Sequence, residues 1–172
     1  MARDASELMS LPVIATAEGR ELGKVSDLVF DPERHALLGF VVASREPAGT
    51  PMYLSTERVR GLGSDAVTVD DEGALEALAA QRRAREIADS GIQIRGAKVI
   101  TRGGDALGTV DRIIVDDDGR IAEYQVRSGP FGIGGRTTLK PEDVVAMGPD
   151  AIVVDARNAG ATHTPGTDQG NA

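Results

Sequence analysis

The sequence predicts a mainly β protein, built as two small six-stranded β-barrels in tandem and joined by a helical linker. Three observations predict this class. The chain repeats itself at a spacing of 85 residues, from Leu54 to Leu139 for example. Each copy contains short apolar, β-branched runs separated by turn residues. The segment between the copies has the composition of a helix. Such a repeat constrains architecture more than it constrains chemistry.

The repeat is clearest in the last third of each copy. Residues 54–70 match residues 139–155 at eight of 17 positions, and residues 16–31 align with residues 101–116 at the same spacing. Two copies of one folding unit explain both matches. The matching pairs include Leu54/Leu139, Gly63/Gly148, Gly23/Gly108 and Asp31/Asp116.

The first copy is predicted from its turn residues and apolar runs. Asp4 can begin a short turn with Glu7 three residues later, and Pro12 then favours an extended chain. The strands that follow are predicted at residues 13–16, 22–30, 37–43, 52–55, 59–62 and 66–69. We expect them to close into a barrel, which leaves no free sheet edge.

The second copy repeats this order, with strands predicted at residues 98–101, 107–115, 121–127, 137–139, 144–147 and 152–154. Between the copies, residues 72–90 are rich in Ala, Leu, Arg and Glu and precede Gly91, which predicts a helix. Residues 156–172 contain no apolar side chain larger than Ala, which is typical of a disordered tail. The predicted organisation is therefore a first barrel at 1–71, a linker at 72–95, a second barrel at 96–155 and a tail at 156–172.

Composition narrows the classes of function. The formal net charge of −8 disfavours binding to DNA or RNA, which needs a basic face. No cysteine is present, so disulfides, thiolate nucleophiles and cysteine-based zinc sites are excluded. No apolar run approaches the roughly 20 residues that cross a bilayer, and the first residues lack a signal-peptide pattern. We therefore expect an acidic cytoplasmic protein with no integral membrane segment. Aromatic residues make up only 3% of the chain, so Val, Ile, Leu and Ala must fill the cores.

Motifs for catalysis or cofactor binding are weak throughout. His35 falls in a hairpin turn and His163 in the tail, so neither suits a catalytic triad. The acidic turn at residues 116–119 lacks acidic residues where an EF-hand needs its first and last ligands, and a hairpin explains it better. The glycine pairs at 19–23 and 103–108 lack the P-loop pattern. Paired carboxylates recur at equivalent turns, as structural residues do. We expect no catalytic residue, no metal and no cofactor.

One basic cluster lies in the predicted helix. Arg82, Arg83 and Arg85 are close in sequence, in a segment that also contains Glu. They form either a solvated helix face with local Glu partners or a docking patch for an acidic partner.

Several motifs in this order resemble the PRC-barrel domain. In the first copy they are residues 19–31 (GRELGKVSDLVFD) and 38–42 (LGFVV); in the second they are residues 107–116 (LGTVDRIIVD), 129–136 (GPFGIGGR) and 139–144 (LKPEDV). The resemblance implies a six-stranded barrel similar to the cytoplasmic part of the photosynthetic reaction centre H subunit and to the C-terminal domain of the ribosome maturation factor. In both settings the domain serves for contact and assembly.

These observations favour a non-catalytic protein-binding or scaffolding module. We expect one chain, with its two copies, to act as a monomer with an internal pseudo-two-fold axis. Phe131 and Ile133 in the Gly-rich loop, with Arg136 beside it, are candidate contacts for another protein; alternatively, the two apolar side chains cover the barrel end. The second hypothesis is a sensor of a small ligand or cation that uses the groove between the barrels. An enzyme with paired carboxylates is the third.

Overall fold

The computed structural model describes residues 2–46, 48–129 and 134–155, and these residues form two β-sheets and one α-helix. The first sheet contains seven strands in the described part of the chain, and its order is β6-β7-β2-β3-β4-β5-β8. These strands are β2 (Pro12–Ala15), β3 (Arg20–Asp31), β4 (Ala36–Ser44), β5 (Met52–Ser55), β6 (Val59–Leu62), β7 (Val67–Val69) and β8 (Leu75–Ala77).

The second sheet repeats this order without the outermost strand, as β13-β14-β9-β10-β11-β12. These strands are β9 (Lys98–Thr101), β10 (Ala106–Val115), β11 (Ile121–Arg127), β12 (Arg136–Leu139), β13 (Val144–Met147) and β14 (Ile152–Val154). In each sheet one pair is parallel, β2 with β7 and β9 with β14, while the other pairs are antiparallel. The predicted mainly β fold in two copies is confirmed.

The two copies share their irregularities as well as their strand order. Register shifts occur at the same places in both sheets: near Ser26 and Asp111, for example, and near Arg60 and Val145. Such bulges bend a strand and increase its twist. The same bends in both copies therefore curve the two sheets in the same way.

Strand register also corrects the spacing of the repeat. Val13 is equivalent to Val99, since both pair with the bulge glycine of the next strand. Phe40 is equivalent to Tyr124, since each pairs with the matching leucine, Leu54 or Leu139. The spacing is thus one residue longer in the first strand of the barrel and one shorter in the third, because the connecting turns differ in length.

The core consists mainly of β-branched and aliphatic side chains, as the scarcity of aromatic residues predicts. Val13, Val67 and Val69 are fully buried in the first copy, and Val99 and Val154 are fully buried in the second. The buried residues of both copies form one continuous cluster. The two barrels therefore share a hydrophobic interior, which suits units that are small for independent stability.

The barrels meet where their equivalent hairpins face each other. Ala36 and Arg120 form an antiparallel bridge. The Leu37 N–H donates to the Gly119 carbonyl at 2.7 Å, and the Ile121 N–H donates to the His35 carbonyl at 2.8 Å. In the spacing that relates β4 to β11, Ala36 is bridged to its own counterpart, Arg120, and the two flanking hydrogen bonds are counterparts of each other. A pseudo-two-fold axis therefore passes through the Ala36–Arg120 bridge.

The N-terminal residues provide a second connection between the barrels. The short strand β1 (Arg3–Asp4) pairs with Ile114 and Val115 of β10 in the second barrel. The Arg3 guanidinium donates to the carbonyl oxygens of Leu62 and Gly63 in the first barrel. Asp4 accepts from the Ser6 N–H and caps a single 3₁₀ turn, as predicted for this position. Residues that the sequence groups with the first barrel thus hold both barrels together.

The helix predicted over residues 72–90 is wrong in its first half. Helix α1 spans only Arg82–Ser90, and Gly91 ends it in the left-handed conformation. Upstream of α1, the backbone forms two 3₁₀ turns on either side of β8. Leu75 of β8 pairs with Leu54 of β5, because the exposed edge of β5 offers hydrogen bonds that outweigh local helix propensity.

The expectation that no sheet edge is free is also wrong. Within the described residues, the two ends of each strand path are not hydrogen-bonded to each other. The connection from β5 to β6 turns sharply through a 3₁₀ turn at Thr56–Arg58, so these two strands do not lie side by side. The outer side of β12 in the second barrel is one such edge.

Candidate functional site between the two barrels

A cleft of about 540 Å³ lies between the two barrels, and we call it the inter-barrel cleft. Its walls come from β3 of the first barrel and β10 of the second, together with α1, the following residues 91–95 and the N-terminal 3₁₀ turn. The sequence predicted a groove between the barrels without naming its residues. Leu28 and Ile113, which are equivalent in the two copies, both line the cleft. The repeat was therefore a signal that could have indicated these two lining residues.

The cleft has an apolar floor and a charged rim. Its floor contains buried side chains, namely Ala5, Ala84, Ile94 and Ile113. Exposed residues form the rim, namely Asp27, Ala88, Gly91, Gln93, Arg95 and Arg112. A surface of this kind combines apolar burial with polar groups that fix orientation, as binding sites do.

The charges on the rim are only partly paired. Arg112 lies 3.6 Å from Asp4, whose other oxygen accepts from the Ser6 N–H at 2.9 Å. Among the described residues, the Asp27 carboxylate accepts from the neighbouring Leu28 N–H alone, at 2.8 Å. Arg95 has no ion pair or side-chain hydrogen bond with another described residue. The rim therefore offers both signs of charge to a bound group.

Helix α1 is fixed over the cleft by one predicted contact residue, Arg83. Its Nε donates to Asp31 Oδ2 at 3.2 Å, and its Nη2 donates to Asp31 Oδ1 at 3.0 Å. Asp31 is nearly fully buried and also accepts from the N–H groups of Glu33 and Arg34. Burial opposes the charged form, but the Arg83 guanidinium and the two N–H donors outweigh it and lower the pKa of Asp31. Arg83 thus anchors the helix to the first barrel.

The other two arginines of the helix point to solvent. Arg82 pairs with Glu86 at 3.1 Å, and its side chain is 92% exposed. Arg85 donates to the Ala79 carbonyl at 3.4 Å. Arg83 also lies 3.5 Å from Glu86. Glu86 is therefore the local partner that a solvated helix face requires. Of the three arginines, only Arg82 and Arg85 keep mainly exposed side chains.

The remaining predicted contacts lie elsewhere. Arg136 begins β12 in the second barrel and pairs with Asp111 at 3.3 Å, as Arg127 does at 3.1 Å. Arg136 thus belongs to a different element from the arginines of α1. Phe131 and Ile133 lie outside the described residues, so their proposed contact stays a prediction. The same holds for the predicted tail at 156–172.

The acidic and histidine motifs take structural positions. Asp116 accepts from the N–H groups of Asp118 and Arg120, both at 2.9 Å, which makes residues 116–120 a side-chain-stabilised turn. His35 contacts Tyr124 across the junction of the barrels. In the described part of the chain, no group of three or more His, Cys, Asp or Glu side chains is placed to hold a metal ion. Among the described helices, none is long and apolar enough to span a bilayer.

Two sheets with the same strand order, bulges and junction define a tandem β-barrel protein. The family model of the PRC-barrel domain matches the chain twice, at residues 2–75 and 89–160. The chain therefore belongs to the PRC-barrel family and carries two copies of the domain. Comparison with curated proteins finds no matching sequence.

Proposed function

We propose that this tandem PRC-barrel chain is a non-catalytic protein-binding module, and that a partner protein inserts an apolar protrusion into the inter-barrel cleft. The observation that carries this proposal is the cleft itself, with its apolar floor and its rim of both charges. Because both copies contribute walls, the duplication creates a surface that a single barrel lacks. Binding at such a surface also fits a shared core that holds the two barrels together.

The exposed rim favours a protein over a small ligand. Small-molecule sites bury most of their ligand's surface, whereas six residues around this cleft, including Arg95 and Arg112, are exposed. Protein interfaces have an apolar centre and a polar rim, and arginines are enriched among the residues that dominate their affinity. Arg95, which lacks a partner among the described residues, is the strongest candidate for such a contact.

A substitution that fills the cleft tests the proposal. Ala88 is exposed at the rim on α1, so Ala88→Trp places a large side chain over the opening without disturbing the core. Ala80→Trp is the matched control, since Ala80 is also exposed and does not line the cleft. The measurement is quantitative mass spectrometry of proteins captured from the native lysate on equal amounts of each bait.

We expect Ala88→Trp to lose a defined set of partners that the wild-type protein and Ala80→Trp both retain. If all three baits capture the same proteins in the same amounts, the cleft is not the binding surface. Circular dichroism and the melting temperature confirm that both variants are folded.

A second candidate, a small organic ligand in the same cleft, is favoured by its volume. About 540 Å³ falls within the roughly 300–1,000 Å³ typical of ligand sites. A ligand that binds only the folded protein raises its melting temperature. A thermal-shift screen with wild-type protein and Ala88→Trp separates the candidates, because a small ligand raises the melting temperature of the first and not of the second.

A further inference from the structure

The two copies differ at one sheet edge. In the first barrel, β8 pairs with the outer side of β5, with Leu75 opposite Leu54 and Ala77 opposite Met52. In the second barrel, the equivalent strand β12 pairs with β11 on its inner side. On its outer side, β12 has no strand partner among residues 2–46, 48–129 and 134–155. The first copy thus shows how this edge is filled, whereas no described residue fills it in the second copy.

The sequence after the second barrel lacks the residue that anchors β8. Asp70 and Asp155 are equivalent, so Gly160 stands where the first copy has Leu75. Leu75 packs partly buried against the hydrophobic core. Glycine has no side chain for this contact and is unfavourable in strands. The sequence after Asp155 therefore does not repeat that of β8.

The charges beside β12 select the kind of strand that fits there. β12 and the following residue read Arg-Thr-Thr-Leu-Lys, so Lys140 and the partly exposed Arg136, which also pairs with Asp111, flank the edge, whereas Pro51 and Ser55 hold these positions in the first copy. No acidic residue occurs between Gly134 and Lys140. An antiparallel pair formed by two copies of β12 would bring these basic ends together, and like charges oppose such pairing. An acidic strand suits this edge better than a second copy of the chain does.

We propose that the outer edge of β12 binds an extended, acidic segment of a partner protein by strand addition. The bound segment forms an antiparallel ladder with residues 136–139, and the pattern of β8 (Leu-Glu-Ala) indicates its side chains. A leucine-like residue lies opposite Leu139, an acidic residue opposite Thr138, and a small residue opposite Thr137. Backbone hydrogen bonds supply affinity in this mode of recognition, and the side chains supply specificity. This surface is separate from the inter-barrel cleft and does not depend on it.

A peptide taken from the chain itself is the first probe. Residues 70–78 (DDEGALEAL), with blocked ends, contain the whole of β8. This peptide is titrated into the isotope-labelled full chain and followed by NMR. We expect weak binding, with a dissociation constant on the order of 1 mM, and shifts concentrated at residues 136–139 and along β11. The control is a peptide in which Asp70, Asp71 and Glu76 are all replaced by lysine. We expect it to bind at least tenfold more weakly.

Variants of the chain locate the binding edge. The double variant Arg136→Glu/Lys140→Glu reverses both flanking charges, and we expect it to weaken binding of the acidic peptide about tenfold. Arg82→Glu/Arg85→Glu makes the same change of charge on α1 and is expected to bind as the wild type does. Ala88→Trp is also expected to bind the peptide normally, so loss of cleft binding and loss of edge binding are measured independently.

Three results would overturn the proposal. One is an absence of shifts at residues 136–139 at several times the expected dissociation constant. Another is a set of shifts confined to Met52–Ser55, which would mean that the peptide only exchanges with β8. The third is binding by a chain ending at Asp155 but not by the full chain, which would mean that residues 156–172 already occupy the edge.

Discussion

The Nδ1 atom of His35 lies 2.7 Å from the hydroxyl oxygen of Tyr124, and this contact crosses from the first barrel to the second. The two rings meet edge to face, with their centroids 5.9 Å apart. On the other side of the pseudo-two-fold axis the equivalent residues are Gly119 and Phe40, which cannot form this hydrogen bond. The junction is therefore symmetric in its backbone and asymmetric in its side chains.

The burial of His35 at the junction predicts a pH-dependent stability. Burial lowers the pKa of His35, although the nearby Asp31 carboxylate acts in the opposite direction. The folded protein then binds a proton less readily than the unfolded chain does. The stability that neutral His35 contributes is fully present above the ordinary histidine pKa of about 6.5. It is lost as the pH falls through that value and then through the lowered pKa of His35 in the folded protein.

We expect urea unfolding of the wild type to show lower stability near pH 5.5 than near pH 8. His35→Asn is the matched variant, because asparagine tolerates the positive φ of 49° found at His35 and does not titrate. Asp31 does not interfere in this window, since its pKa is lowered from 3.8. An equal pH dependence in both proteins would show that His35 does not cause it.

Replacement of Asp31 tests how α1 is attached. Asp31→Ala removes the partner of Arg83 and the acceptor of two backbone N–H groups, so we expect a loss of about 1–3 kcal/mol in the free energy of unfolding. Asp116→Ala is the matched control, because Asp116 occupies the equivalent turn and accepts from two backbone N–H groups, with no arginine side chain bound to it among the described residues. We expect the control to lose less. Equal losses in urea unfolding would mean that the Arg83 contact contributes nothing.

The sequence predicted the strands well, because they depend on neighbouring residues and occur in both copies. Each predicted strand lies within two or three residues of a strand in the structure, because apolar runs and turn residues mark both copies. The strand β8 was missed because Leu75–Ala77 has the composition of a helix, and only its pairing with β5, distant in sequence, makes it extended.

Contacts between distant residues could not be predicted in this way. Arg83 and Asp31 are far apart in the chain, and nothing in the sequence around either one indicates the other. The bridge between Ala36 and Arg120 joins two equivalent turns, yet a repeat alone does not show which turns of the two copies meet. The inter-barrel cleft depends on that packing, so the sequence indicated a groove but not its lining.

The bulge glycines predict a local steric effect. A Cβ atom added to Gly108 would overlap the Arg127 carbonyl oxygen, and the φ of Gly108 is 136°. We expect Gly108→Ala to lower the free energy of unfolding by at least about 2 kcal/mol, from backbone strain and overlap. Gly148→Ala is the control, since the nearest atom to its added Cβ lies 3.8 Å away.

We expect Gly148→Ala to change stability by no more than about 0.5 kcal/mol. Chemical unfolding of both variants, followed by circular dichroism, makes the comparison. If the two substitutions are equally well tolerated, β10 and β11 do not approach each other as closely at Gly108 as the structure shows.

The pairing of Ala36 with Arg120 is the most direct test of the claim that the two barrels form one body about a pseudo-two-fold axis. In a non-hydrogen-bonded antiparallel pair the Cα atoms lie about 4.5 Å apart, and their Hα atoms face each other. We predict a strong nuclear Overhauser effect between the Hα atoms of Ala36 and Arg120 in solution, together with slow hydrogen exchange of the Leu37 and Ile121 amides. Absence of that effect, with rapid exchange of both amides, would contradict the junction and the cleft that depends on it.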